Sequence, residues 1–419
     1  MSARAIVCAA LLCLGSPGRA GAQPAIEVPP PDEPRRVIPR PPGLDLPRES
    51  QIEVSLSGAR SESATGIGAY GEILLTAPIS NGEPTVVDVR RLVVFLGHNF
   101  TDRLRVYTEL EVEHAIASSE DKGEFEVEQL FLDYLIRRGI NLRAGLILMP
   151  VGIVNQYHEP PTFNGALRPE TDTRIIPSTW REVGGGAFGA VGPLRWQLYG
   201  VTSFRAHDLD AEGLAAAHQE GQLARARDWG VVGRLDLQPI PGLDFGASGY
   251  HADSGQGDAA LAGARAALWL VEGDVRFRWK GLEARAEFAN LWIGDTDKIN
   301  AARKADADAM VPPGDFLPVA RQLRGGYVEA GYNLLQPFHL ARSPLLVVFG
   351  RYERTNTQAE VVGYSAAPGR DRQLITAGFN LRPVAEVAVK VDYQRITAEG
   401  GGGGSSSWNQ INAGLAFMF

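Results

Sequence analysis

Gln410-Ile411-Asn412-Ala413-Gly414-Leu415-Ala416-Phe417-Met418-Phe419 ends the chain on an unbroken alternation. In an extended strand, Ile411, Ala413, Leu415, Phe417 and Phe419 fall on one side, and Gln410, Asn412, Gly414 and Ala416 on the other. One side suits hydrocarbon; the other is small or polar. The same period of two recurs upstream. Val387, Val389, Val391 and Tyr393 alternate with Glu386, Lys390, Asp392 and Gln394. Val271, Val275, Phe277 and Trp279 alternate with Glu272, Asp274, Arg276 and Arg278. Leu282, Ala284, Ala286 and Phe288 alternate with Glu283, Arg285 and Glu287, and Leu104, Val106, Leu110 and Val112 with Arg103, Arg105, Glu109 and Glu111. A soluble sandwich also alternates, but its apolar face packs on a second sheet. Segments of about ten residues with full charges on the second face suit a tilted crossing of a bilayer.

The links between these segments alternate in length. Short ones are Asn99-Phe100-Thr101, Arg138-Gly139-Ile140, Pro239-Ile240-Pro241, Lys280-Gly281 and Pro383; long ones span roughly 154–181, 205–224, 294–321 and 356–370. Short turns at one rim and long loops at the other predict an all-β, transmembrane antiparallel barrel of about 16 strands. One segment breaks the phase: Glu124, Glu126 and Glu128 share parity with Leu130, Leu132, Tyr134 and Ile136. Either the glutamates stand above the membrane or a bulge shifts the register.

The rest of the chain fits that class. Its 419 residues contain no apolar run of the ~18 that a spanning helix needs. A net charge of -8, with lysine only at 122, 280, 298, 304 and 390, argues against a nucleic-acid binder. Arg4, the apolar stretch Ala5 to Leu14 and Ala20-Gly21-Ala22 predict a cleaved signal peptide over 1–22. It would carry away both cysteines, Cys8 and Cys13, leaving no thiol chemistry. Residues 23–60, Pro-rich in their first half, predict an extended periplasmic linker, and 61–419 the barrel of an outer-membrane protein. Phe419 at the end of an alternating last strand resembles the closing strand of bacterial outer-membrane barrels, which implies barrel-assembly machinery as a partner, with outer-membrane lipid around the apolar face.

Catalytic chemistry finds little support. No serine sits with a histidine base at strand-compatible spacing, so enzyme activity is not expected. His158-Glu159 lacks a histidine at i+4, and Pro160-Pro161 forbid a helix there, so neither a metal site nor a cofactor is expected. Gly400 to Gly404 lacks the Gly-Lys-Ser/Thr of a phosphate cradle and reads as a surface loop.

The richest stretch follows the fifth strand: Pro150-Val151-Gly152-Ile153-Val154-Asn155-Gln156-Tyr157-His158-Glu159-Pro160-Pro161-Thr162-Phe163-Asn164, then Arg168 to Arg174, then Ile175 to Glu182. Together with Val87-Asp88-Val89-Arg90-Arg91-Leu92 and Glu109-Leu110-Glu111-Val112-Glu113-His114, it resembles the phosphate-selective porin O/P family of Gram-negative bacteria. The resemblance covers strands one to six best and the remainder as architecture. It implies that the third long loop folds inward and narrows a pore, with His158, Glu159, Arg168, Arg174 and Arg181 at the constriction. It also leaves a homotrimer open.

On the inner face, Arg91, Arg103, Arg105, Arg143, Arg276, Arg285 and Lys390 are interleaved with Glu109, Glu111, Glu272, Asp274, Glu283, Glu287 and Asp392. Mixed charge argues for weak ion preference rather than strong phosphate selectivity. Two function classes stay open: a diffusion channel for small hydrophilic solutes, anions such as phosphate included, and a structural or adhesive barrel with a blocked lumen.

Overall fold

Lys280 and Gly281 both adopt positive φ, 47° and 84°, which is the two-residue turn whose twist matches a β-hairpin. It is one of the tight links at one rim of the molecule. The computed structural model describes residues 64–79, 82–116, 123–310, 314–338, 344–400 and 404–419. The expected signal peptide, the Pro-rich linker and the centre of the glycine run at 401–403 lie outside the described residues.

The strands are β1 (Ala64–Pro78), β2 (Val86–Asn99), β3 (Leu104–Glu113), β4 (Phe125–Arg137), β5 (Ile140–Leu148), β6 (Arg181–Val191), β7 (Leu194–Thr202) and β8 (Trp229–Ile240). They continue as β9 (Leu243–Ala252), β10 (Leu268–Trp279), β11 (Leu282–Ile293), β12 (Gln322–Asn333), β13 (Leu345–Glu360), β14 (Asp371–Val384), β15 (Val387–Glu399) and β16 (Ser405–Met418). Each pairs antiparallel with its sequence neighbours, and β1 pairs with β16 from Tyr70↔Met418 to Pro78↔Gln410, closing the barrel. This is the sixteen-stranded all-β barrel that the alternation predicts.

Alternation decides which side faces out. Ile411, Leu415 and Phe417 are exposed on the outer surface, whereas Gln410, Asn412 and Ala416 are buried inside. An apolar exterior around a polar interior is the inverse of a water-soluble protein. The phase break in β4 is a bulge: Glu109 pairs with Gln129 and Leu110 with Val127, leaving Glu128 as the extra residue. Glu126 and Glu128 therefore turn inward before it, and Phe131 and Asp133 after it.

The interior is not empty. The link 149–180 between β5 and β6 turns inward, carrying a short 3-10 turn at Pro160–Thr162 and a π-helical turn at Thr171–Ile175. The link 294–321, one of the expected long ones, contains a helix, α1 (Thr296–Ala309). Ile175, Ile176 and Trp180 pack with Phe204, Leu209, Leu214 and Ile299 in one buried apolar cluster. Trp180 lies edge-on to Tyr250, ring centroids 4.9 Å apart. An apolar core thus forms where the long loops meet, inside the rim opposite the tight turns.

Candidate functional site

Asn155 ties the two ends of the inward loop together. Its Nδ2 donates to the carbonyls of Met149 (2.9 Å) and Trp180 (3.0 Å), while its Oδ1 accepts from Trp180 N at 2.8 Å. Between these ends the backbone has no ladder, so its polar groups need other partners. Wall side chains supply them. Ile153 N donates to Glu287, Ala166 N to Asp392 (2.6 Å) and Glu170 N to Glu353 (2.7 Å). Asn164 Nδ2 donates to Glu283 and Glu329. The loop therefore reaches β11, β12, β13 and β15, which makes it the inward-folded third long loop.

The five residues expected at a constriction do not gather in one place. His158 is buried with Nε2 3.5 Å from Glu128 Oε1, and its Nδ1 lies 3.2 Å from the carbonyl of Asn155. Burial, aided by the Arg168 guanidinium, pushes its pKa down to about 4, so the ring is neutral at pH 7. Glu159 beside it is also buried, and burial raises its carboxyl. Arg168 braces the loop from within, donating to Ser178 Oγ, to Thr179 Oγ1 (3.2 Å) and to His158 O (3.4 Å). Arg174 instead reaches Glu212 of the next long loop at 2.7 Å. Arg181 opens β6 and pairs with Glu126 (2.5 Å) and Glu220 (3.4 Å). Deeper in the loop, Asp172 has both carboxylate oxygens buried without a hydrogen-bond partner among the described residues. Burial, then the charge of Glu272, pushes it up to about 7.

The wall residues form closed ion-pair sets. Arg91 faces Glu111 at 3.4 Å, Glu113 at 3.5 Å and Glu72 at 3.9 Å. Arg105 and Arg143 share Asp133, at 2.9 and 2.8 Å, and Arg285 meets Glu329 at 2.6 Å. Arg276 reaches Asp236 (3.2 Å), which with Asp274 also holds Arg234. That bridge passes over Gly246 of β9, where a Cβ would run into Asp274 and Arg234. Glu109 accepts from Gln129.

Of two further expected pore-lining residues, one lies off the wall and the other is on it but covered. Arg103 sits exposed in the turn before β3, because β3 begins one residue later. Lys390 is only 1 % exposed, because the loop tip covers it: Nζ donates to Gly165 O at 2.9 Å and lies 3.8 Å from the centre of the Phe163 ring. Arg234 was readable on the charged face of its strand, by its parity with Asp236. Sequence reasoning missed Asp133, whose parity the bulge conceals, and left the side taken by Glu128 open.

Cavities flank the loop. One of about 470 Å³ is lined by Arg105, Glu109, Arg143, His158, Glu159 and Arg195. Another of about 230 Å³ lies between Arg168 and Glu170 of the loop and Glu72, Arg90, Arg91 and Gln394 of the wall. Both are bordered by charge of either sign.

No protein-family model matches the chain. Among solved structures it is similar to outer-membrane porins. These include OmpF of Salmonella typhi in complex with daunomycin (TM-score 0.55, 11% identity, 85% of this chain and 98% of that one). The channel DcaP of Acinetobacter baumannii gives TM-score 0.54 and 10% identity over 86% of this chain and 99% of that one. The anion-selective porin from Comamonas acidovorans gives 0.52 and 9% over 85% and 100%. At such identities the likeness shows the fold. A protein of Aquifex aeolicus (strain VF5), described as uncharacterized, is 31% identical over 339 residues, which is 80% of this chain and 76% of the relative. The chain therefore belongs to the family of that Aquifex aeolicus protein, and it is built on the closed sixteen-stranded fold of the outer-membrane porins.

Proposed function

We propose that the chain is an outer-membrane porin, a passive diffusion channel for small hydrophilic solutes, narrowed by loop 149–180. The observation that carries this reading is the 230 Å³ cavity between that loop and the wall, bordered by Arg90, Arg91, Arg168, Glu72 and Glu170. Barrels of about sixteen strands are wide enough to hold water unless something fills them. Here the loop fills part of the bore and leaves charged gaps beside it. His158, Glu159, Arg168 and Arg174 on the loop, with Arg181 at the start of β6, are the residues of the narrow zone in this reading. Arg91, Arg105, Glu109, Glu111, Arg143, Arg276 and Arg285 are its wall. Membership of the phosphate-selective porin O/P family, assembly as a homotrimer and recognition of Phe419 during assembly belong to the same reading.

Preference among ions should be weak. Fixed arginines compensate lost hydration best for carboxylate or phosphate oxygens. Most arginines of the wall, however, already face carboxylates within 4 Å. Reversal potentials across a salt gradient test this. Values close to zero are expected, and near-ideal selection of chloride or of potassium would overturn it.

The apolar cluster of Trp180, Phe204, Leu209 and Leu214 favours the second reading, a barrel whose lumen is blocked by its own loops. Conductance separates the two.

A further inference from the structure

Glu109 on β3, Glu128 at the bulge of β4 and His158 on the inward loop each offer one ligand atom, all within 4.8 Å of one another, and all three are buried. We infer that these residues bind a first-row divalent cation that pins the loop to the barrel wall.

The argument starts from mismatched polar atoms. Glu128 is 0 % exposed, yet neither of its carboxylate oxygens has a hydrogen-bond partner among the described residues, and the same holds for His158 Nε2. The carbonyl of Asn155 can only accept, so the imidazole proton sits on Nδ1. Nε2 then presents a lone pair to Glu128 Oε1 at 3.5 Å, acceptor facing acceptor. Something positive between them removes the conflict. Two ligands of one tetrahedral zinc, at the usual Zn–N and Zn–O lengths, stand about 3.3 Å apart. Glu111 and Glu126 also bring ligand atoms within reach of Glu128, each of them paired with an arginine, Arg91 and Arg181. One imidazole with carboxylates suits zinc, manganese or iron better than calcium, which wants six to eight oxygens. Entry is provided by the 470 Å³ cavity, which Glu109 and His158 both line. The bulge matters here, since without it Glu128 and Asp133 could not both turn inward. This site does not rest on the channel reading.

Zinc alone, titrated calorimetrically into the chelator-stripped full chain folded in detergent, tests the inference. One zinc per chain is expected, with affinity weakened at least about tenfold by Glu128→Gln and by His158→Gln. Heat-modifiable gel mobility reports whether each variant still forms the barrel. Cobalt absorption by the unsubstituted chain gives a second reading that needs no variant: an intense four-coordinate visible spectrum is expected. Failure to bind zinc, meaning the cluster shares protons instead, would overturn the site. So would zinc binding that both folded variants retain, or a weak cobalt spectrum like that of the aqueous ion.

Discussion

Lys390 on β15 donates a 2.9 Å hydrogen bond to the carbonyl of Gly165, at the tip of a loop 225 residues earlier in the chain. Its neighbour Asp392 accepts from Ala166 N at 2.6 Å, so two wall residues grip two successive loop residues. Lys390→Ala leaves the buried Gly165 carbonyl without its donor. The expected cost is about 1–3 kcal/mol, the range for a buried acceptor left unsatisfied. Guanidinium unfolding in detergent measures it, and earlier proteolytic cleavage within 160–170 should accompany it. An unchanged midpoint and cleavage pattern would show that the tip is held by other contacts.

Asp172 should make stability depend on pH in an unusual direction. An unfolded aspartate titrates near 3.9, whereas burial raises Asp172 to about 7. Between those values the folded chain retains a proton that the unfolded chain has released, so this residue's contribution falls as pH rises and is fully lost above 7. Asp172→Asn removes the effect. Unfolding midpoints of the two chains should coincide near pH 4 and separate by about 1–3 kcal/mol in favour of Asn at pH 8, as for relief of an unsatisfied buried group. A constant gap across pH would contradict the assignment.

Phe288 lies mid-strand on β11, opposite Gly273 and Gly326, and is 55 % exposed on the outer face. Phe288→Arg should cost roughly 2–4 kcal/mol in a lipid refolding assay, as for a cation at the midplane of a bilayer. The same substitution should be far milder in aqueous detergent with short chains. Equal damage in both media would mean that this face does not meet hydrocarbon.

The barrel was legible because a strand between lipid and polar lumen must alternate residue by residue, and that constraint leaves a local record. Ile411 to Phe419 carry it without interruption. In β4 the phase break at Glu128 was visible, but only the strand pairing decides that a bulge causes it. The loop was legible as an insertion but its grip on the wall was not. Gly165 with Lys390, and Glu170 with Glu353, join residues far apart in sequence, and no period links them. The charged inner face was visible; its near-complete pairing was not. Arg276 meets Asp236 across an intervening strand, which only barrel register determines. The apolar cluster around Trp180 likewise draws on short runs from separate loops, each too brief to show a pattern.

Single-channel recording in planar bilayers tests the central claim most directly. The full chain, shown to be folded and inserted, should produce discrete, reproducible conductance steps. Arg168→Ala, which removes the brace to Ser178, Thr179 and His158 beside the 230 Å³ cavity, should change their size or noise. Inserted, folded barrels that pass no current in either form would contradict the channel and leave a barrel closed by its own loops.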